Sequence, residues 1–369
     1  RAIDAVGIAD ATPASHIWTI DLSTPNTVIT AAPALLSNST AATFEFNGEN
    51  DVVRFECSLD GAAFVSCSSP QTFTGLAQGE TPSIFRASTP LATAAPTPAS
   101  HTWTIDTTAP DTTITSAPPA VVASNNASFE FSSSEAGVSY ACNLDNAGFG
   151  SCTIPVTFSS LADGAHTLQV RATDAAGNVD ATPASHSWTV DTTPPTTVID
   201  AMPANPSNSR DATFAFSGND SGGSGVASFE CRLDGGSYAA CTSPQSFSAL
   251  VDGAHLFEVR ATDTAGNVGV IPASFGWTVE ATPPDTTITS TPPALTNSKA
   301  ASFSFTGSDN VTVAASLLFA CKLDGAAFAA CTSPQSYTNL SDGAHTFQVR
   351  TTDAAGNVDP TPATYSWTI

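Results

Sequence analysis

Lysine is nearly absent from this 369-residue chain, which holds only Lys299 and Lys322. With arginine included, 10 basic residues face 33 acidic ones, for a formal net charge of −23. Such a chain cannot replace the counterions around phosphate, which excludes nucleic acid as a partner. An anionic membrane surface is excluded for the same reason. Long apolar runs are also missing, so no membrane insertion of this segment is expected. Methionine occurs once, and charged residues are only 12% of the chain. Low charge together with 41% hydrophobic residues argues against disorder, despite 26 Pro and 24 Gly. The abundance of Thr, Ser, Val and Phe favours strands over helices. No leader is visible, but Arg1 falls inside a repeat, so that absence carries no information.

Repetition dominates what is present. Trp18, Trp103, Trp188, Trp277 and Trp367 are separated by 85, 85, 89 and 90 residues. Eight cysteines form the pairs Cys57/Cys67, Cys142/Cys152, Cys231/Cys241 and Cys321/Cys331, each ten residues apart. The longer periods arise in one segment. The distance from the second Phe of an F-x-F strand to the first Cys is 11 residues at Phe46 and Phe131, 15 at Phe216 and 16 at Phe305. Insertion confined to one segment reads as a surface loop. The segmentation expected is 1–21, the C-terminal strands of a preceding repeat, then whole repeats at 22–106, 107–191, 192–280 and 281–369. Arg1 to Ile20 aligns without gaps to Arg171 to Val190, and a cut edge of a longer polypeptide is the favoured account of it.

Within the second repeat, strands are expected at Thr112 to Thr115, Ser128 to Phe131, Val138 to Leu144, a short return ending at Cys152, Val156 to Phe158, Ala165 to Thr173 and Ser185 to Val190. Alternation puts Phe129 and Phe131 on one face and His166, Leu168, Val170 and Ala172 on another. Seven short strands in about 85 residues is the pattern of an immunoglobulin-like sandwich. The fold class is therefore all-β: a tandem array of seven-stranded sandwiches with one local disulfide hairpin each. The unit C-x-L-D-G-x-x-F-x-x-C, followed by G-A-H-T-F-x-V-R-A-x-D-x-A-G-N and P-A-S-x-x-W-T-V-D-x-T-P-P, resembles the Ig-like repeats of large secreted or cell-surface bacterial proteins. Leu161 to His166 resembles the turn into the sixth strand of fibronectin type III domains, with His166, His255 and His345 where a Tyr usually stands. The first repeat departs from the pattern, with Gln78-Gly79-Glu80-Thr81 at that turn and no Asp or Asn in Thr89 to Thr93.

Zinc needs four ligands at closer spacing, so each cysteine pair is read as a disulfide across a hairpin turn. A loop this short contributes roughly 2–3 kcal/mol, and such bonds place the chain outside the cytoplasm. His16, His101 and His186 precede the framework Trp by two, where Phe275 and Tyr365 stand in the other repeats, so the position wants a ring rather than a base. No nucleophile is spaced to meet any histidine, and no catalytic residues are assigned. Aromatic rings recur at repeat positions, generally on inward faces, which leaves no separate sugar platform. Lys322 on an outward face and Lys299 in a loop exclude buried isopeptide chemistry. Glycosylation sequons stand at Asn38, Asn126, Asn310 and Asn339.

The acids at repeat ends are the one candidate site. In this topology a last strand ends near two loops of the following repeat. Asp106 is expected beside Glu135, Asp174 and Asn178; Asp191 beside Asp220, Asp263 and Asn267; Glu280 beside Asp309, Asp353 and Asn357. The first reading is that these residues only shape turns. The second is calcium, which suits clustered carboxylate and amide oxygens; no cofactor is otherwise required. Asp21 has no such partners in the degenerate first repeat.

The function expected is a non-enzymatic extracellular stalk or fibre segment, a rigid spacer with about 35–40 Å per repeat. Its partners would be neighbouring copies or neighbouring repeats of the same long chain. The alternatives are an adhesin that binds a surface ligand through its repeats or through the inserted loops Asn219 to Gly225 and Ser308 to Ser316, and a self-assembling filament subunit that exchanges strands.

Overall fold

The computed structural model describes residues 2–369 except 13, 19, 21–23, 51, 53 and 89–94. Among the described residues every regular element is a strand, apart from one 3-10 turn at Ala314–Ser316. Packing divides the chain into two compact units. The first comprises Arg1–Ala117, Ser128–Val156 and Thr167–His186, and the second Pro118–Ala127, Thr157–His166 and Ser187–Ile369.

The first unit contains a complete sandwich. One sheet orders Asn26–Ala31, Ala42–Glu49 and Gln71–Phe73; the other orders Leu36–Ser37, Ala99–Ile105, Gly79–Ser88, Arg54–Leu59 and Val65–Cys67. Period-two alternation builds the core: Ala42–Glu49 buries Ala42, Phe44 and Phe46, and turns Thr43, Glu45 and Asn47 outward. Those rings meet Cys57, Phe85, Trp103 and Ile105. Phe44 stands edge-on to Trp103 at 5.2 Å between centroids, a favoured aromatic geometry. The same unit pairs residues 130–133 with Thr112–Ser116. It also pairs Ser139–Leu144 with Gly150–Cys152 and with residues 168–173.

The second unit holds two more sandwiches. In one, Thr196–Ala201, Ala212–Asn219 and Gln245–Phe247 face Ala239–Cys241, Val226–Leu233, Gly253–Asp263 and Ala273–Val279. In the other, Asp285–Ser290, Ala301–Ser308 and Gln335–Tyr337 face Ala329–Cys331, Leu318–Leu323, Ala344–Thr352 and Ala363–Thr368. Phe214, Phe216, Phe257 and Trp277 fill the first core, and Phe303, Phe305, Phe347 and Trp367 fill the second. The unit also contains Val121–Val122 paired in parallel with residues 189–190, a two-residue strand too short to leave an alternation signal.

All four disulfides form, with Cα–Cα distances of 5.9, 5.8, 5.8 and 5.7 Å. One sequence expectation needs correction. The hairpin rings Phe64, Phe149, Tyr238 and Phe328 do not turn inward: they lie on the outer face under Arg86, Arg171, the pair Arg232 and Arg260, and the pair Lys322 and Arg350. Each cation covers ring area that alternation alone would leave in water. The segment aligned with a final hairpin, residues 2–20, joins no sheet among the described residues, and only Ile3 and Ala9 bridge. Without partner strands Trp18 stays 71% exposed, whereas the other four Trp are at most 2% exposed. The inserted loops lie at repeat ends, against Asp191 and Glu280.

Candidate functional site

The candidate site is assembled by the loop that follows the long strand of the second, third and fourth repeats. In Asp174 to Asn178, Asp263 to Asn267 and Asp353 to Asn357, the Asp amide donates to the Asn carbonyl, and the Asn amide donates to Asp Oδ1 at 2.8 Å. Gly177, Gly266 and Gly356 allow the reversal with φ of 94, 97 and 91°, where a side chain is strained. This closure aims one amide nitrogen in two directions. Asn178 Nδ2 donates to the Asp106 carbonyl at 2.8 Å, Asn267 Nδ2 to that of Asp191 at 2.7 Å, and Asn357 Nδ2 to that of Glu280 at 2.6 Å. Each also donates to the second oxygen of its own loop Asp, at 2.7, 2.8 and 2.6 Å. The last residue of one repeat is thereby tied to the next.

Around each tie stand the acids that the sequence placed there. One oxygen each from Asp106, Glu135 and Asp174 lie within 4.8 Å of one another, as do those of Asp191, Asp220 and Asp263, and of Glu280, Asp309 and Asp353. The first group is half-buried. In the others Asp191, Asp263, Glu280 and Asp353 are at most 4% exposed. Asp21 and the loop residues Thr89 to Thr93, singled out for the degenerate first repeat, lie outside the described residues.

The insertions account for the difference in burial. In the loop Asn219 to Gly225, the Ser224 amide donates to Asp191 Oδ2 at 2.7 Å, and Ser224 Oγ accepts from the Ala265 amide at 3.0 Å. Asp220 Oδ2 accepts from the Gly225 amide at 2.7 Å. In the loop Ser308 to Ser316, the Thr312 hydroxyl donates to Glu280 Oε1 and accepts from the Ala354 amide. Asn310 Nδ2 reaches back to Asp252 Oδ2 at 2.9 Å. The second repeat has no insertion, and Asp106 is met by Gln78 and the Thr108 amide instead.

Electrostatics separate the two closed clusters. Burial pushes the Asp191 carboxyl up, but the Ser224 hydroxyl and amide and the Thr193 amide outweigh it and hold the group below the ordinary carboxylate value. Glu280 is raised, first by burial and then by the charges of Asp353 and Asp309, which the Thr312 hydrogen bond only partly offsets. No Lys or Arg lies within ion-pair distance of any of the nine acids among the described residues. Asp220 Oδ1 and Asp309 Oδ1 are buried without a hydrogen-bond partner. Several oxygens with uncompensated charge and free lone pairs fit a hard divalent cation such as calcium, and do not suit zinc, which prefers nitrogen and sulfur.

Sequence reasoning assembled the acids and the three Asn, and missed Ser224, Thr312, Asn310 and Asp252. The insertions themselves were visible as the longer periods, but nothing in them marks which residue folds back. The histidine corner follows expectation: His166, His255 and His345 each place Nε2 on the carbonyl four residues earlier, at 2.8, 2.8 and 2.9 Å.

Comparison with known proteins gives a consistent set of likenesses. Residues 103–192 match the family described as bacterial Ig-like domain. Over 291 residues, 71% of the chain, the sequence is 31% identical to Exoglucanase B of Cellulomonas fimi. The match spans 26% of that protein, about a quarter of its length. Among solved structures, a tetra-tandem repeat in the extending region of a large adhesion protein is 16% identical with a TM-score of 0.34, covering 93% of this chain and 99% of that one. Fibronectin(III)-like modules of Clostridium thermocellum are 16% identical with a TM-score of 0.30, covering 47% and 94%.

Proposed function

We propose that this chain, a tandem array of bacterial Ig-like, fibronectin III-like repeats, is a non-enzymatic extracellular spacer whose stiffness resides at the repeat junctions. The carrying observation is that the residues which differ most between repeats, the two insertions, contact the last residue of the preceding repeat. An adhesin would keep its variable loops free; here they are occupied, which supports a mechanical role. Four whole repeats, 22–106, 107–191, 192–280 and 281–369, each act as one folding domain. Calcium occupies the clusters at Asp191 and Glu280, held by Asp220 and Asp263 in one and by Asp309 and Asp353 in the other. Its charge offsets repulsion that the protein itself leaves uncompensated. The cluster of Asp106, Glu135 and Asp174 binds it more weakly. The local disulfides fit an oxidising compartment. Likeness to a part of Exoglucanase B supports a spacer that carries neighbouring domains, including those of a polysaccharide-degrading enzyme.

Mechanical pulling on the whole chain tests the spacer reading. Four separate force peaks are expected, each releasing on the order of 250 Å of chain, since about ten residues per repeat stay locked behind the disulfide. Extension without force peaks would contradict it.

A further inference from the structure

His255 and His345 are buried, and each has an acceptor at both ring nitrogens. Nδ1 of His255 lies 2.8 Å from Asp234 Oδ2 and Nε2 lies 2.8 Å from the Val251 carbonyl. In His345 the partners are Asp324 Oδ2 at 3.0 Å and the Ser341 carbonyl at 2.9 Å. A neutral imidazole carries one N–H and one lone pair, so it can satisfy only one of two acceptors; the imidazolium donates to both. Trp277 and Trp367 close the other side with ring centroids at 5.4 and 5.3 Å, and neither adds a charge.

What the His255 corner holds is specific. The Val251 carbonyl adjoins Asp252, whose carboxylate accepts from the Ala281 amide at 3.2 Å and from the Thr282 amide and hydroxyl. It also accepts from Asn310 Nδ2 in the fourth repeat's insertion. Arg210 pairs with Asp252 at 2.9 Å. Among the described residues the charged groups around this corner are therefore Asp234, Asp252 and Arg210, with Asp324, Asp342 and Lys299 around the other.

We propose that His255 and His345 are cationic latches, held as imidazolium between a carboxylate and a backbone carbonyl, and that loss of the proton at His255 loosens the grip of Asp252 on the linker and on the fourth repeat. The electrostatics agree with the geometry. At His255 burial opposes the charge, and the Val251 carbonyl and Asp234 outweigh it; at His345 the Ser341 carbonyl leads and Asp324 adds to it; both imidazoles are raised above their ordinary value of about 6.5. A raised imidazole stabilises the fold fully below its unfolded value, and that contribution is lost as pH rises through the folded value. The latch stands whether or not calcium fills the carboxylate clusters. The first repeat has Thr81 where the others have His, and serves as an internal control.

The test is a pH titration of the full chain by NMR. The midpoints of His255 and His345 are expected above the ordinary imidazole value of about 6.5, with both ring nitrogens carrying protons below them. Exchange protection of the Ala281 and Thr282 amides, referred to intrinsic rates at each pH, is expected to fall as His255 deprotonates, by about tenfold for each unit that the latch raises its midpoint. Protection of the Thr108 amide, just past the end of the first repeat, should not follow. Asp234→Asn is expected to move the His255 midpoint and the loss of protection together to lower pH. If that variant fails to fold, the wild-type titration alone decides. A His255 midpoint at or below the ordinary imidazole value, or flat protection of Ala281 and Thr282 through its titration, would overturn the proposal.

Discussion

The junction at Asp106 and the junctions at Asp191 and Glu280 use the same amide tie and the same three-acid arrangement, but only the latter two are closed. At Asp106 the three acids are half-buried and the neighbouring side chain is Gln78. At Asp191 and Glu280 an inserted loop covers the acids and binds the terminal carboxylate directly. The difference teaches that extra residues in a repeat need not serve as extra surface. Here they remove carboxylates from water, which raises both the cost of leaving them unpaired and the strength of any cation they hold.

Removing the tie should sharpen that contrast most. Asn267→Ala leaves the Asp191 carbonyl and an Asp263 oxygen without a donor in a buried setting, and is expected to cost about 2–3 kcal/mol of local stability. Asn178→Ala, at the half-buried junction, is expected to cost about 1 kcal/mol. Exchange protection on either side of each junction measures both, and equal losses would erase the distinction.

Next in size is Thr312→Val, which keeps the shape and removes the hydroxyl on Glu280. A loss of about 1–2 kcal/mol is expected in metal-free solution, confined to the Glu280 junction and read by local exchange. The Asp191 junction should not respond.

The smallest effect is the most discriminating. In metal-free solution the two closed junctions should answer acid in opposite directions. Asp191 is held below its ordinary value, so its stabilisation is present above the unfolded value and is lost as pH falls through the folded one. Glu280 is held above its ordinary value, so its penalty is largest when ionised and is relieved as pH falls through the folded value. As pH falls, local exchange should show the Glu280 junction strengthening first, above the ordinary carboxylate value, and the Asp191 junction weakening only below it; parallel responses would contradict the assigned electrostatics.

Much of this was legible in the sequence because repeats supply their own alignment. Five Trp and eight Cys fixed the period, and the alternation at Ser128 to Phe131 and Ala165 to Thr173 named buried residues directly. Bringing Asp191 toward Asp220 and Asp263 needed only the sandwich topology. What was hidden depends on the path of irregular backbone. No periodicity says that Ser224 or Thr312 folds back onto a carboxylate, because loop hydrogen bonds leave no repeating signature. The outward rings at Phe64 and Tyr238 were hidden for a related reason: alternation gives the face of a residue but not the cation that covers it.

The measurement that tests the central claim most directly is thermal unfolding of the whole chain, disulfides intact, in calcium and then in excess EDTA. Each kcal/mol lost by a repeat of this size moves its melting temperature by about 4–8 °C. The account predicts a marked fall in EDTA for the third and fourth repeats, the two whose insertions close the Asp191 and Glu280 junctions, with little change in the first. Identical melting in calcium and EDTA would contradict it, and would leave the clustered acids as turn residues.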